Sequence, residues 1–343
     1  MKFFTNFIQE LIKEGNVVDI ATNEKQSKVP TVFEEFGCKI YQISTSRSPF
    51  SFGNIKAIKQ IRTIAKDYDI VHCHTPLAGI AARLACRPLR EKKGLKVFYT
   101  AHGFHFYKGA PIKNWLIYYP AEKMCSRWTD VLITITREDY ELAKKKMKAN
   151  RIEYVPGVGI DINRFASTTT RLDEKKTELQ LPKDSFVVLS VGELNRNKNH
   201  KAVVKAISLM NDPRIYYLIA GVGNQKNKLL SLAKELNVNL RLLGFRNDVN
   251  ELYKIADVFV LPSIREGLNV SMLESIAAGC KTIVSQTRGN ADFVDSKNMF
   301  KPNDVNRIAK LIKTDIENNP LPNLLDVKNI NKKLLNIYSE KDD

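Results

Sequence analysis

The sequence predicts the α/β fold class, with two doubly wound, Rossmann-like domains that face each other across a cleft. Short apolar runs alternate with segments of helical periodicity, first over residues 17–155 and again over residues 186–314. This alternation is typical of parallel sheets covered by helices on both faces. It stops over residues 156–184, where two glycines and a polar, charge-rich tract indicate a hinge. The 343 residues also exceed the roughly 250–300 at which a single core stops growing.

The first predicted domain covers residues 1–163 and begins with a helix. Residues 3–14 carry apolar side chains at helical spacing, and Gly15 follows as a C-cap. Because an α/β domain normally opens on a strand, we expect that the first strand and its loop are missing from this chain. The other predicted strands are 17–21, 39–43, 70–73, 96–100, 131–135 and 152–155, and the other helices are 54–66, 77–87, 112–127 and 137–148.

The second predicted domain covers residues 164–325 and repeats the same pattern. Residues 326–343 form one more amphipathic helix, which we expect to pack back on the first domain. The predicted strands are 186–191, 215–220, 240–243, 258–261 and 282–284, and the predicted helices are 199–210, 226–236, 247–254, 270–279 and 304–314.

Composition limits the possible functions. A hydrophobic content of 43% and a charged content of 27% are ordinary for a globular enzyme. The sequence contains neither a membrane-spanning run nor a secretory signal, so we expect a cytoplasmic protein. Five cysteines without a Cys-x-x-Cys pair argue against disulfides and structural zinc. The formal net charge of +17 indicates an anionic partner, such as nucleic acid, a membrane surface or a lipid pyrophosphate, or else a general lysine bias.

The segment 257–279 gives the strongest functional signal. An apolar run is followed by a loop with Gly267 and then by a helical pattern, so the helix would begin at the carboxyl end of a strand, where anions bind. Glu266 lies in that loop and has no obvious structural duty. Glu274 lies in the helix, where Ser271 and Glu274 also fit a capping box, so a structural role for Glu274 is equally possible.

Three more loops of the second half follow predicted strands. Arg196 and Lys198 lie in a turn where cations could hold a diphosphate, although a solvated turn would look the same. Gly221 belongs to a tight strand-to-helix turn. Phe245 and Arg246 could line a nucleobase pocket or only begin a helix.

In the first half, residues 100–109 combine His102 and His105 with glycines and aromatic residues at a strand end, which favours a site over chance. His72 and His74 share a strand face, but two ligands without carboxylates make a metal site improbable. Residues 112–128 mix aromatic, aliphatic and basic side chains. They fit an interfacial helix or an amphipathic core helix.

Taken together, these motifs resemble the retaining glycosyltransferase family 4, whose GT-B fold consists of two facing doubly wound domains. Residues 266–274 match the family's E-x7-E motif, and the loops at 192–198, 220–223, 243–248 and 288–290 occur in the family's order. Residues 100–109 and 114–130 closely resemble a bacterial subgroup that builds capsular polysaccharide and exopolysaccharide on a lipid carrier. The resemblance covers nearly the whole chain.

The resemblance implies roles for individual residues. His102 and Glu266 would be catalytic, with Glu266 on the donor sugar hydroxyls, Glu274 on the ribose and Lys198 on the diphosphate. Acceptor contacts would come from His105, Lys108, Lys113 and Trp115. The full donor set would be Gly192, Arg196, Lys198, Gly221, Phe245, Arg246, Glu266, Gly267, Leu268, Asn269, Val270 and Glu274.

Two departures from the family pattern matter. Glu193 replaces the usual arginine, so that Arg196 would supply the second cation, and the first strand with its glycine-rich loop has no counterpart before Met1. A start truncated in this way could leave the chain inactive.

The implied function is a retaining hexosyl transfer from a UDP-activated donor to a polyprenyl-pyrophosphate-linked saccharide. It would need no metal or other cofactor and would take place on an anionic membrane surface, the inner face of the plasma membrane, without nucleic acid. The alternatives are a UDP-sugar epimerase of the same fold and a non-catalytic binding subunit.

Overall fold

The computed structural model describes residues 4–25, 28–46, 52–315, 317–318 and 320–339. The chain forms two compact units, one made of Met1–Val158 with Lys328–Asp343 and the other of Gly159–Val327. The boundary therefore lies slightly before the predicted residue 163, and the C-terminal residues belong to the first unit. None of the helices in the described ranges has the length and the apolar character needed to cross a bilayer.

The first unit alternates strands with helices, as its periodicity predicts. Its elements in chain order are α1 (Thr5–Lys13), β1 (Ile20–Thr22), α2 (Val32–Glu35), β2 (Ile40–Gln42), α3 (Phe52–Ile64), β3 (Ile70–His74), α4 (Pro76–Lys93), β4 (Lys96–Ala101), α5 (Ile112–Ser126), β5 (Val131–Thr134), α6 (Arg137–Lys146) and β6 (Arg151–Tyr154). All strand pairs are parallel. They form a four-stranded sheet β3-β4-β5-β6 and a separate pair β1-β2, and in the described residues no strand joins the two.

Among its described residues, the second unit has one sheet. Its elements are α7 (Ile162–Ala166), α8 (Leu172–Glu178), β7 (Phe186–Val191), α9 (His200–Met210), β8 (Ile215–Ala220), α10 (Lys226–Glu235), β9 (Asn239–Gly244), α11 (Val249–Ile255), β10 (Val258–Leu261), α12 (Val270–Ala277), β11 (Thr282–Ser285), α13 (Arg288–Ala291), β12 (Met299–Phe300) and α14 (Val305–Lys313). The last helix of the chain is α15 (Val327–Ser339). The strand order is β12-β11-β10-β7-β8-β9, all parallel.

Both faces of each larger sheet are buried, which is why the strands read as nearly continuous apolar runs. In β4, Val97 and Tyr99 face a core shared with α3 to α6, while Phe98 faces α1 and α15. In β7, Val187 and Val188 likewise belong to cores on opposite faces. The expected fold class, two Rossmann-like domains with helices on both sides of parallel sheets, is confirmed.

The predicted hinge over residues 156–184 contains the boundary between the two units, and two short helices, α7 and α8, lie in its polar part. Asp161 caps α7 by accepting a hydrogen bond from the backbone N–H of Arg164, and Phe165 is buried in the core of the second unit. In α8, Lys175 is buried because Asp248 and Glu251, among other carboxylates, neutralise its ammonium group. Asp248 and Glu251 lie outside the segment, so its polar composition did not indicate that Lys175 is buried.

Candidate functional site

The sheet of the second unit has a topological switch point between β7 and β10. From β7 the chain moves to β8 on one side, and β10 then returns to the other side. The loops that leave the carboxyl ends of β7 and β10 therefore run in opposite directions. In an open parallel sheet, ligands bind in the crevice that such a divergence creates.

Residues 192–199 and 262–269 form the walls of this crevice. The backbone N–H of Ile264 donates to the carbonyl oxygen of Asn197 at 2.8 Å, and the Asn197 amide donates to the carbonyl oxygen of Arg265 at 2.8 Å. Between the two loops, Lys198 Nζ lies 2.7 Å from Glu266 Oε1. Their side chains are only 17% and 13% exposed, so the two residues with the clearest predicted roles form a largely buried ion pair.

Glycines in two neighbouring loops allow those loops to approach each crevice wall closely. A Cβ atom at Gly221 would lie 1.8 Å from the carbonyl oxygen of Gly192, and one at Gly289 would lie 1.5 Å from that of Gly267. Gly192 also has a φ of +153°, and a Cβ there would lie 3.2 Å from Cε of Lys198. A side chain at Gly221 would displace the wall 192–199, and one at Gly289 would displace the wall 262–269.

The helix α12 begins at Val270, as predicted, but its cap differs from the prediction. The Asn269 side chain accepts the hydrogen bond from the backbone N–H of Met272 at 3.4 Å. Ser271 instead donates its hydroxyl to the carbonyl oxygen of Val191 at 3.1 Å. The capping-box interpretation is therefore wrong: the cap lies two residues earlier than Ser271. Leu268 and Val270 pack partly into the core beneath.

Glu274 faces a partner that the sequence did not indicate. The hydroxyl of Tyr253, on α11, donates to Glu274 Oε2 at 3.1 Å. Burial raises the pKa of the Glu274 carboxyl to about 7, although the bond from Tyr253 works in the opposite direction. Glu274 therefore exchanges its proton near neutral pH.

Arg196 is exposed on the outer side of the same loop as Lys198. It lines a surface cavity of about 510 Å³ together with Arg265, which sequence reasoning missed. The other lining residues are Asn195, Asn197, Asn224, Gln225 and Ile264. Lys198 does not line this cavity, so the assignment of Arg196 as the second diphosphate cation stays a prediction.

Phe245 and Arg246 follow β9. The Phe245 ring is 71% exposed, and its role in donor binding stays a prediction. Arg246 donates to Asp248 at 2.8 Å and to Glu178 at 2.7 Å. Burial alone would raise the pKa of Asp248, but hydrogen bonds from Arg246 and Lys175 lower it to about 2. The guanidinium group of Arg246 is thus engaged in an ion cluster, and its role in donor binding stays a prediction.

Three histidines lie together at the carboxyl edge of the sheet in the first unit. His74 Nδ1 is 3.2 Å from His102 Nε2. His72 is bonded to the hydroxyls of Tyr338 at 2.6 Å and Thr100 at 2.7 Å, and burial lowers its pKa to about 3. Desolvation in the loop also lowers the pKa of His102. Over the described ranges, no group of three ligand side chains is arranged to hold a metal.

The predicted acceptor residues lie next to these histidines along the chain. The His105 ring stacks on Tyr118 with centroids 4.5 Å apart. The Trp115 indole packs against the core and donates to the carbonyl oxygen of Tyr107 at 3.3 Å. Lys108 and Lys113 are exposed. Their assignment to the acceptor stays a prediction.

Two family models match the chain in turn. Residues 2–164 match Glycosyltransferase Family 4, and residues 172–332 match Glycosyl transferases group 1. Each match lies almost entirely within one of the two compact units.

Individual relatives agree with the family models. EpsD of Bacillus subtilis (strain 168), itself named only provisionally as a glycosyltransferase, is 40% identical over 295 residues, 83% of this chain and 76% of the relative. The UDP-Gal:alpha-D-GlcNAc-diphosphoundecaprenol alpha-1,3-galactosyltransferase of Escherichia coli is 33% identical over 265 residues, 72% and 67% of the two chains. The structure of Anabaena HepE with UDP and glucose superposes with a TM-score of 0.73 at 17% identity, over 91% of this chain and 89% of that one. The chain therefore belongs to glycosyltransferase family 4, with the GT-B type of fold and relatives in bacterial exopolysaccharide and capsule biosynthesis.

Proposed function

We propose that this glycosyltransferase moves a hexose from a UDP-activated donor to a lipid-linked saccharide, with retention of the anomeric configuration. The observation that carries the proposal is the Lys198–Glu266 pair across the switch point, beside the start of α12. A cation and a carboxylate placed together fit a ligand that has both a diphosphate and sugar hydroxyls. The name of the Escherichia coli relative, with UDP-Gal and diphosphoundecaprenol, agrees with this donor and acceptor class.

In the proposed complex, the donor diphosphate replaces Glu266 as the partner of Lys198. Charge-assisted hydrogen bonds from Nζ hold the phosphates, and the N-terminus of α12 adds roughly half a positive charge. Glu266, released from the lysine, accepts hydrogen bonds from the hydroxyls of the donor sugar. The positive charge at this position stabilises the UDP leaving group as its bond to the sugar breaks.

Retention follows from the same arrangement. Once the departing diphosphate is held in place, the acceptor hydroxyl attacks the anomeric carbon on the face that the diphosphate leaves. The acceptor proton passes to a phosphate oxygen, so a protein base is not required. His102, whose pKa is lowered by desolvation, is proposed to contact the sugar on its C6 side.

Metal independence is part of this proposal, because Lys198 and the helix N-terminus supply the positive charge that a divalent cation would otherwise provide. Sugar transfer is expected to continue unchanged in excess EDTA. Loss of transfer in EDTA, restored by Mg²⁺ or Mn²⁺, would contradict this part of the mechanism. The acceptor is anchored in a bilayer, so we further propose that the protein acts at the cytoplasmic face of the plasma membrane.

The decisive experiment is a panel of UDP-sugars, including UDP-galactose, incubated with purified protein and with GlcNAc-diphosphoundecaprenol. Release of UDP that depends on the acceptor is expected for one donor, with an α linkage in the product by NMR. Conversion of the UDP-sugar without an acceptor would indicate an epimerase. UDP binding without turnover for any donor would instead indicate a binding subunit.

A further inference from the structure

The helix α5 is apolar on its outer face as well as its inner face. The inner face packs Trp115 and Tyr119 into the core of the first unit. The outer face exposes Ile112 (79%), Leu116 (72%), Ile117 (57%) and Met124 (44%), more large apolar residues than any other described helix presents. Single exposed apolar side chains are common, but four on one helix mark an interaction surface.

The same outer face carries only positive charge. Lys113 and Arg127 are exposed, and Lys123 is half-buried. The only acid of α5 is Glu122, which points inward, where the Arg83 guanidinium donates to it at 2.8 Å. Aliphatic residues mixed with lysine and arginine, without a carboxylate, are typical of helices that lie in the headgroup region of an anionic bilayer.

The position of this face relative to the strand ends is also informative. α5 follows β4, so its N-terminal half lies at the carboxyl edge of the sheet, where His102 lies. The exposed side chains of Ile112 and Leu116 therefore lie near the edge that carries the predicted acceptor residues.

We propose that the outer face of α5 docks on an anionic lipid bilayer, with the aliphatic side chains among the acyl chains and the basic side chains on the phosphates. This inference depends on the proposed function at one point: the proposed lipid-linked acceptor would lie in the same bilayer. A second copy of the chain fits less well. A helix of 15 residues is about 22 Å long. One of its faces covers a few hundred Å², well below the roughly 800 Å² per partner of a stable protein interface.

The test is flotation of the purified chain with vesicles of 30% phosphatidylglycerol in phosphatidylcholine, compared with pure phosphatidylcholine, at 0.1 M salt. The double variant Leu116→Ser/Ile117→Ser is expected to bind the anionic vesicles at least about tenfold more weakly. The matched control is Leu209→Ser/Leu230→Ser, which removes two exposed leucines of the second unit and should bind like the unaltered chain.

The charge contribution is measured with Lys123→Gln/Arg127→Gln. This variant is expected to lose about tenfold or more of its affinity for anionic vesicles while its weak binding to phosphatidylcholine stays the same. The control Lys226→Gln/Lys228→Gln removes two exposed lysines from α10 and should have little effect. Equal losses in a variant and its control, or unchanged binding in both α5 variants, would overturn the proposal.

Two further measurements keep this proposal separate from the proposed function. UDP affinity and transfer to a water-soluble, short-chain acceptor should be the same in the α5 variants and the unaltered chain, which also shows that the variants are folded. If no acceptor is glycosylated but flotation depends on α5, the proposed sugar transfer is wrong, whereas the proposed docking of α5 on the bilayer is supported. If Leu116→Ser/Ile117→Ser changes sedimentation of the protein alone from oligomer to monomer, the face binds a second copy and the lipid proposal is wrong.

Discussion

The ion pair between Lys198 and Glu266 allows the proposed donor site to be tested by two opposite effects of mutation. Lys198→Met removes the cation but keeps most of the aliphatic stem, whereas Glu266→Gln removes the negative charge and keeps the shape. If the diphosphate competes with Glu266 for Nζ, the first change should weaken UDP binding and the second should not. Sugar transfer should fall in both, because Glu266 is proposed to hold the donor sugar.

The magnitudes follow from burial. Breaking a fully buried ion pair costs about 3–5 kcal/mol, and an exposed pair is worth about 0–1 kcal/mol. With side chains 17% and 13% exposed, this pair lies nearer the buried limit. Lys198→Met should therefore lower the free energy of unfolding by roughly 2–3 kcal/mol. A hydrogen bond to a charged group is worth about 1.5–3 kcal/mol, so UDP affinity should fall between about tenfold and a hundredfold.

Isothermal titration calorimetry with UDP measures these affinities, and urea denaturation measures the stabilities. Lys310→Met, an exposed lysine on α14, is the control for loss of one positive charge. Glu266→Gln is expected to bind UDP as tightly as the unaltered chain or up to about tenfold more tightly. Unchanged UDP affinity in Lys198→Met, or a tenfold loss in Glu266→Gln, would refute the competition between the phosphate and the carboxylate.

Three further predictions concern the loops and the buried charges. Gly221→Ala places a Cβ 1.8 Å from a carbonyl oxygen of the neighbouring loop, so UDP affinity should fall at least about tenfold and stability by about 1–3 kcal/mol. Gly94→Ala, whose Cβ would meet open space, should leave UDP affinity unchanged. The folded-state pKa of Glu274, about 7, lies above the usual carboxyl value, so its stabilising contribution is complete below about pH 4.5 and is lost as the pH rises through 7. The unaltered chain should therefore lose roughly 3 kcal/mol of stability between about pH 4.5 and 7, measured by denaturation at each pH, and Glu274→Gln should not. Equal losses in the two proteins would contradict the assignment. Arg83→Met leaves a buried carboxylate unpaired and should cost about 3–5 kcal/mol in thermal or urea unfolding, whereas Arg87→Met at an exposed pair should cost under about 1 kcal/mol. Similar losses in the two arginine variants would show that burial does not govern these pairs.

The periodicity of the chain was sufficient to predict most of the secondary structure. The alternation of strands and helices in the second unit matches the structure because each β-strand is buried on both faces and each helix packs on one side. Short elements without a hydrophobic period of their own, such as α2 and α13, were not predicted. The sequence also predicted that Glu266 lies in a loop after a buried strand. This prediction was possible because the end of a strand is marked by the local sequence.

By itself, the sequence determined the order of the elements, the glycines at the loop crossings and the family, because these depend on residues close together in the chain. Only the tertiary structure decided which side chains meet. Lys198 and Glu266 are 68 positions apart, and Tyr253 reaches Glu274 from another helix. The physical reason is that the strand order places β10 beside β7, and a hydrogen bond depends on that proximity in space, which local propensity does not encode.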